Sequence, residues 1–188
     1  MSLTWEVARA GGLMAWGMAT ASIVWGLALS TRLLRRHPLP NGLLDMHRRL
    51  GALAVVFTVV HVGALLLDGY TRFSLTEVLV PFLARWHPTA VAWGIVAFYL
   101  LLAVEITSLL RERMRRRWWR RAHWLSFPVF AFATLHTVMS GTDATSTVVL
   151  VFLAAMSLPL VALIAIRLGG TAMPAPRSGT GTLAPPSP

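Results

Sequence analysis

HRRLGALAVVFTVVH, running from His47 to His61, is an apolar stretch with a histidine at each end and two arginines beside the first. A second stretch, HWLSFPVFAFATLH from His123 to His136, has almost the same design. An ionisable side chain within an apolar, membrane-length segment is expensive and marks a functional site by default. Two on each of two segments make a stronger signal than any one alone. The remainder of the chain reads as the scaffold that brings these two segments together.

The composition sets the class. The chain has 188 residues, 56% hydrophobic and 13% charged, with a mean hydropathy of +0.65. A soluble domain carries about 25% charged residues, so these values fit an all-α, polytopic membrane helix bundle. Cysteine is absent, which removes disulfides, thiolate metal sites and iron–sulfur clusters. The net charge is +10 and every basic side chain is an arginine. In a soluble chain that balance would suggest nucleic acid. Here the arginines cluster between apolar runs, so the partner they imply is the lipid bilayer.

Charged residues divide the chain into five uncharged runs, Ala10–Thr31, Leu50–Leu67, Trp86–Val104, Ala122–Thr142 and Ala144–Ile166. A spanning helix needs about 20 apolar residues, within a working range near 17–25. All five runs qualify, Leu50–Leu67 best if His47 to Arg49 extend it. The first run follows an n-region that contains Glu6 as well as Arg9 and is longer than a signal-peptide core, so it is read as a transmembrane helix.

Arginines fill two of the connections. Arg32, Arg35, Arg36, Arg48 and Arg49 lie between runs one and two, and Arg111, Arg113, Arg115, Arg116, Arg117, Arg120 and Arg121 lie between runs three and four. The connection between runs two and three has only Arg72 and Arg85, and the turn SGTDATS after run four has none. The positive-inside rule then places the arginine-rich loops in the cytoplasm, the N-terminus outside and the C-terminus inside, in a cell (inner) membrane. Trp5, Trp86, Trp118, Trp119 and Trp124 fall near the expected interfaces. The middle of the outer loop, SLTEVLVPFLARW, reads as a short interfacial or re-entrant segment. The membrane domain is placed at residues 1–167, and the Gly-, Pro-, Ser- and Thr-rich segment 168–188 is expected to be a disordered cytoplasmic tail.

Runs two and four are separated by one helix, so they run in the same direction. Their histidine intervals are roughly 21 Å and 20 Å at the helical rise. His47 and His123 therefore form an inner layer, and His61 and His136 an outer one. Zinc asks for four protein ligands, or three and a water, and two histidines per layer are too few. Haem brings four nitrogens of its own and needs only axial ligands, so two imidazoles per layer suit it. Phe57, Phe127, Phe130 and Phe132 are expected to pack a porphyrin, and Gly51, Ala52, Ala54, Gly63, Ala64, Ala131 and Ala133 to leave room for its plane. On an ideal helix His47 and His61 fall within ~40° of one face, whereas His136 ends ~140° from His123. Pro128 lies between that second pair and is expected to kink the helix and change its phase.

The remaining polar groups read in two ways. Arg48, Arg49, Arg120 and Arg121 serve topology and lipid headgroups, or pair with inner propionates. Arg9 anchors a helix end or reaches an outer propionate, and Glu105 snorkels at the inner boundary of run three. His37 and His87 each stand beside a proline and are read as structural. Two other function classes stay open. Met46 beside His47, and Met139 at i+3 from His136, would suit a copper site. A cofactor-free membrane anchor or interaction subunit is the third reading.

H-x13-H on one helix and H-x12-H two helices later resemble the ferric reductase and NADPH oxidase transmembrane domain. WEVARAGGLMAW, DMHRRLGALAVVFTVVHVG and VEITSLLRERMRRRWWRRAHWLSFPVFAFATLHTVMSGTD are similar to its stand-alone bacterial members, over roughly residues 5 to 167. The resemblance implies that His47, His61, His123 and His136 are axial ligands of two b-type haems, and that the chain is an oxidoreductase component carrying electrons from an inner haem to an outer one. The family includes the haem subunit of a methionine sulfoxide reductase, which implies quinol or flavoprotein donors. Oxidase and ferric reductase chains usually have six helices and a flavin and nicotinamide domain. Here five helices are counted and no G-x-G-x-x-G fingerprint occurs. The chain is therefore expected to have no flavin or NAD(P)H site, and to need a separate donor and an outer-side acceptor.

Overall fold

The computed structural model describes residues 2–30, 41–141 and 146–170. These residues form α1 (Leu3–Ser30), α2 (Asn41–Leu67), α3 (Leu75–Leu79), α4 (Pro88–Leu109), α5 (Arg116–His123), α6 (Ser126–Ser140) and α7 (Thr147–Gly170). The architecture is an all-α bundle. Leu3–Ser30, Gly42–Leu67, Pro88–Leu109 and Thr147–Leu168 are long and apolar enough to cross a membrane. The second does continue back through His47, which gives it full length. Much of the first inter-helix connection, the turn residues 142–145, and the tail beyond Gly170 lie outside the described residues, as does His37.

The fourth apolar run departs from a single long helix. It is divided into α5 and a fifteen-residue α6, with the break at Trp124 and Leu125 rather than at Pro128. The reason is local. Pro128 has no N–H to give to the carbonyl of Trp124. Phe127 N–H takes that carbonyl instead, three residues on, and Leu125 N–H likewise turns back to Ala122. Pro128 then sits in the first turn of α6, where a missing donor costs nothing. The five-helix expectation thus becomes four long spanning helices and one shorter, broken one.

Helix association in lipid relies on close packing and small residues more than on apolar burial. α1 packs along α2, and α4 along α6. At Gly11 a Cβ would stand 3.3 Å from the backbone nitrogen of His61, so the two backbones are close there. At Gly17 it would stand 2.9 Å from Phe152 of α7. In the half of the bundle nearer His47, Ile23, Leu27 and Leu160 form a buried cluster joined by Phe127 and Phe130.

The segment between α2 and α4 folds over the opposite end. Ser74 and Glu77 make a reciprocal capping box that starts α3. Glu77 also accepts from the Arg85 backbone N–H at 3.2 Å, tying both ends of the loop together. Phe73, Val78 and Ala84 are buried against Val91 and Ile95 of α4 and against Val62 and Leu65 of α2. Asp68, only 2% exposed, is the latch between this cap and the start of α1. Its carboxylate accepts from Ser2 Oγ at 2.5 Å and Thr4 Oγ1 at 2.8 Å, and from the Thr71 N–H at 2.8 Å.

Those hydrogen bonds, first that of Ser2, hold the Asp68 carboxyl well below the usual carboxylate range. A depressed folded pKa adds stability above the unfolded value, near 3.8, and loses it as pH falls toward the lower folded value. Asp68→Asn is therefore expected to lower the thermal midpoint of the detergent-solubilised chain at pH 7. The gap from wild type should close below about pH 4. An equal midpoint at pH 7 would rule out the latch.

Candidate functional site

The antiparallel pair α1 and α2 presents His47 and His61 toward the pair α4 and α6. The structure brings His47 next to His123, with ring centroids 5.9 Å apart and planes at 71°. It brings His61 next to His136, at 6.1 Å and 77°. A metal held by two opposed imidazoles, roughly 2 Å from each ring nitrogen, sets the ring centroids about 6 Å apart. Both pairs have that separation. The α5–α6 break gives His123, the last residue of α5, its own orientation, and this removes the phase mismatch of an ideal helix.

The Nδ1 side of each ring is occupied. His61 Nδ1 donates to the carbonyl of Ala8 at 2.6 Å, His136 Nδ1 to that of Ala90 at 2.8 Å, and His47 Nδ1 to that of Ser22 at 3.0 Å. His123 Nδ1 faces the Ser108 hydroxyl at 3.4 Å. A carbonyl can only accept, so in the first three rings the proton belongs on Nδ1 and the lone pair on Nε2. That tautomer, fixed by a carbonyl from a neighbouring helix, is the one a metal-binding histidine uses. Among the described residues no group of three or more His, Cys, Asp or Glu side chains comes together. The site therefore offers pairs of imidazoles.

Around His61 and His136 a cavity of about 210 Å³ opens between α1, α2, α4 and α6. Trp5, Arg9, Trp16, Phe98 and Leu101 are among its lining residues. Phe57, Phe127, Phe130 and Phe132 do not line this cavity. Phe127 and Phe130 pack in the α1–α6–α7 core, and Phe132 stacks on Trp93 at 5.1 Å. Of the expected small residues, Ala133 lines the cavity, Gly63 faces open space, and Gly51 abuts the Glu105 carboxylate. Trp16, which sequence reasoning missed, is buried, donates to Thr134 at 2.9 Å and packs on Phe130 and Phe152. It is the one tryptophan buried in the middle of α1, and that mid-helix position is the signal that could have singled it out.

At the other layer, Trp119 stacks on His123 at 5.1 Å and 26°. The arginines there hold local partners. Arg48 pairs with Asp45 at 3.4 Å, and Arg121 lies over Trp118. Arg49 and Arg120 are exposed. Arg9, lining the cavity, pairs with Glu6 at 3.5 Å. His87 stands apart from the four, exposed at the N-cap of α4 with its ring against Trp86.

Comparison with curated proteins and with solved structures yields no match. A family model does match. The ferric reductase like transmembrane component aligns with residues 12–134, a span that holds His47, His61 and His123 and ends two residues before His136. Paired imidazoles on an all-helical membrane bundle and a match over most of the chain converge: the chain belongs to the ferric reductase-like transmembrane family, whose members serve membrane redox chemistry.

Proposed function

We propose that this chain is a di-haem b protein that moves electrons across a cell membrane, from a donor on the cytoplasmic side or in the bilayer to an acceptor on the outer side. The observation that carries the reading is the pair of imidazole pairs, at 5.9 Å and 6.1 Å, with Nδ1 engaged on all four rings. A haem at each pair would supply one-electron redox chemistry. His47 and His123 would hold the inner one, His61 and His136 the outer.

The protein's own part is orientation and exclusion of water. The carbonyls of Ala8, Ser22 and Ala90 keep the proton on Nδ1 and leave the lone pair of His61, His47 and His136 on Nε2. Ala8, Gly12, Gly94 and Ala133 keep the outer cavity wall low, and Trp5, Trp16 and Phe98 close it. Arg9 is the guanidinium on that wall and suits an outer propionate. Arg48, Arg49, Arg120 and Arg121 flank the inner histidines in sequence and suit inner propionates or lipid phosphates. Met46 and Met139 are 47% and 46% exposed, which argues against thioether ligands completing either pair. Two imidazoles are also too few for zinc.

The arginines of α5 and of the segment before it favour a cytoplasmic inner layer. That leaves α3 and the start of α1 outside. For the donor we propose a flavoprotein or a membrane quinol, a choice that the family match supports only as a redox role.

The purified full chain is expected to carry about two haems b by pyridine haemochrome. His61→Ala or His136→Ala should remove the outer haem and keep the inner. His47→Ala or His123→Ala should do the reverse. Both haems surviving in any single variant would refute the pairing. Orientation is separately testable because the chain has no cysteine. A maleimide that cannot cross the membrane should label Tyr70→Cys in intact cells, and Arg117→Cys only after permeabilisation. The opposite pattern would invert the topology.

A further inference from the structure

Glycines face three of the four imidazoles from a neighbouring helix. A Cβ on Gly12 would stand 2.9 Å from His61 Nδ1. On Gly26 it would stand 2.9 Å from His47 Cε1. On Gly94 it would stand 2.7 Å from His136 Nδ1. In each case the carbonyl that accepts the imidazole proton belongs to the residue four positions earlier, Ala8, Ser22 or Ala90.

This coincidence has a physical cause. In an α-helix the carbonyl of residue i−4 bonds to the N–H of residue i. Its second lone pair tilts outward beside the Cβ of residue i. A side chain there blocks lateral approach, and a hydrogen atom leaves it open. Ala-x-x-x-Gly at 8–12, Ser-x-x-x-Gly at 22–26 and Ala-x-x-x-Gly at 90–94 therefore build one device three times. The two copies on α1 are fourteen residues apart, matching the interval from His47 to His61 on the antiparallel α2. On α4, fourteen residues after Gly94, stands Ser108. Its hydroxyl takes over the contact with His123 at 3.4 Å.

We infer that Gly12, Gly26 and Gly94 are positioning residues for His61, His47 and His136, opening the helix backbone so that a main-chain carbonyl fixes the tautomer and aim of each imidazole. The inference rests on the reading of these histidines as axial ligands. A methyl group at any of the three glycines meets the tip of a rotatable ring rather than a backbone. The variants should therefore fold, with one ring turned off its carbonyl.

The test uses the full chain in detergent, with pyridine haemochrome, electron paramagnetic resonance of the oxidised protein and redox titration. Gly12→Ala and Gly94→Ala should each perturb the outer haem alone, and Gly26→Ala the inner alone. Each change should appear as a displaced low-spin signal and about 10–100-fold weaker retention. Gly17→Ala is the steric control, since its Cβ would press on Phe152 at 2.9 Å and on no histidine. Gly63→Ala, which faces open space, is the neutral one. Selective loss confined to the named haem supports the inference. Unchanged spectra in all three glycine variants, or an equal spectral change in Gly17→Ala, overturns it. A wild-type chain that binds no haem overturns the ligand reading instead. In that event 15N spectra of histidine-labelled protein still decide the glycines' role. His61 should lose its Nδ1–H tautomer in Gly12→Ala, and an unchanged His61 signal would end the proposal.

Discussion

The fold depends most on hydrogen bonds between imidazole N–H groups and main-chain carbonyls of a neighbouring helix. An imidazole buried in a bilayer with an unmade hydrogen bond costs about 1–3 kcal/mol. The low dielectric strengthens whatever bond is made. Ala8, Ser22 and Ala90 supply carbonyls that already serve their own helices. Serine hydroxyls stand beside two of the three rings, Ser22 Oγ at 3.2 Å from His47 Nδ1 and Ser140 Oγ at 3.4 Å from His136 Nδ1. The requirement is proximity. α1 must lie close enough to α2, and α4 close enough to α6, for a ring to reach a backbone.

That proximity also demands register. A slip of one residue along α1 would rotate the carbonyl of Ala8 by about 100° away from His61. The polar latch at the end of the bundle resists such a slip. Thr4 lies one turn before Ala8, and Asp68 two turns after His61, and the two side chains are bonded to one another. The loop that carries Asp68 is held in turn by the Ser74–Glu77 capping box and by the apolar seal of Phe73, Val78 and Ala84. The cap thus sets the height at which α1 meets α2, and through it the aim of His61.

At the opposite end the constraint is met by breaking a helix. His123 and His136 are thirteen residues apart, one short of the α2 interval, and an unbroken helix would point them to different faces. Ending α5 at His123 and starting α6 at Ser126 lets the two rings find partners in separate layers. Pro128 makes the interruption inexpensive, because the carbonyl it cannot bond is taken by Phe127. Trp119 then stacks on His123, which gives that ring a second neighbour where its Nδ1 contact, to the Ser108 hydroxyl, is the longest of the four.

Much of this was legible in the sequence. Uncharged runs of membrane length require helices, since no other open structure satisfies its backbone in lipid. Histidines at matched intervals on two parallel helices imply layers from the helical rise alone. Those inferences use only local geometry and the cost of polar groups in lipid. What stayed hidden depends on which helix faces which. Phe57, Phe127, Phe130 and Phe132 were plausible cavity walls by composition, yet the rotation of α6 sends Phe127 and Phe130 into the α1–α6–α7 core. The repeated small-x-x-x-Gly pattern was present in the chain, but a glycine in a helix has no meaning until its neighbour is known. The cavity beside His61 and His136 and the carbonyl acceptors on α1 and α4 were decided only by tertiary structure, because each is a relation between backbones distant in sequence.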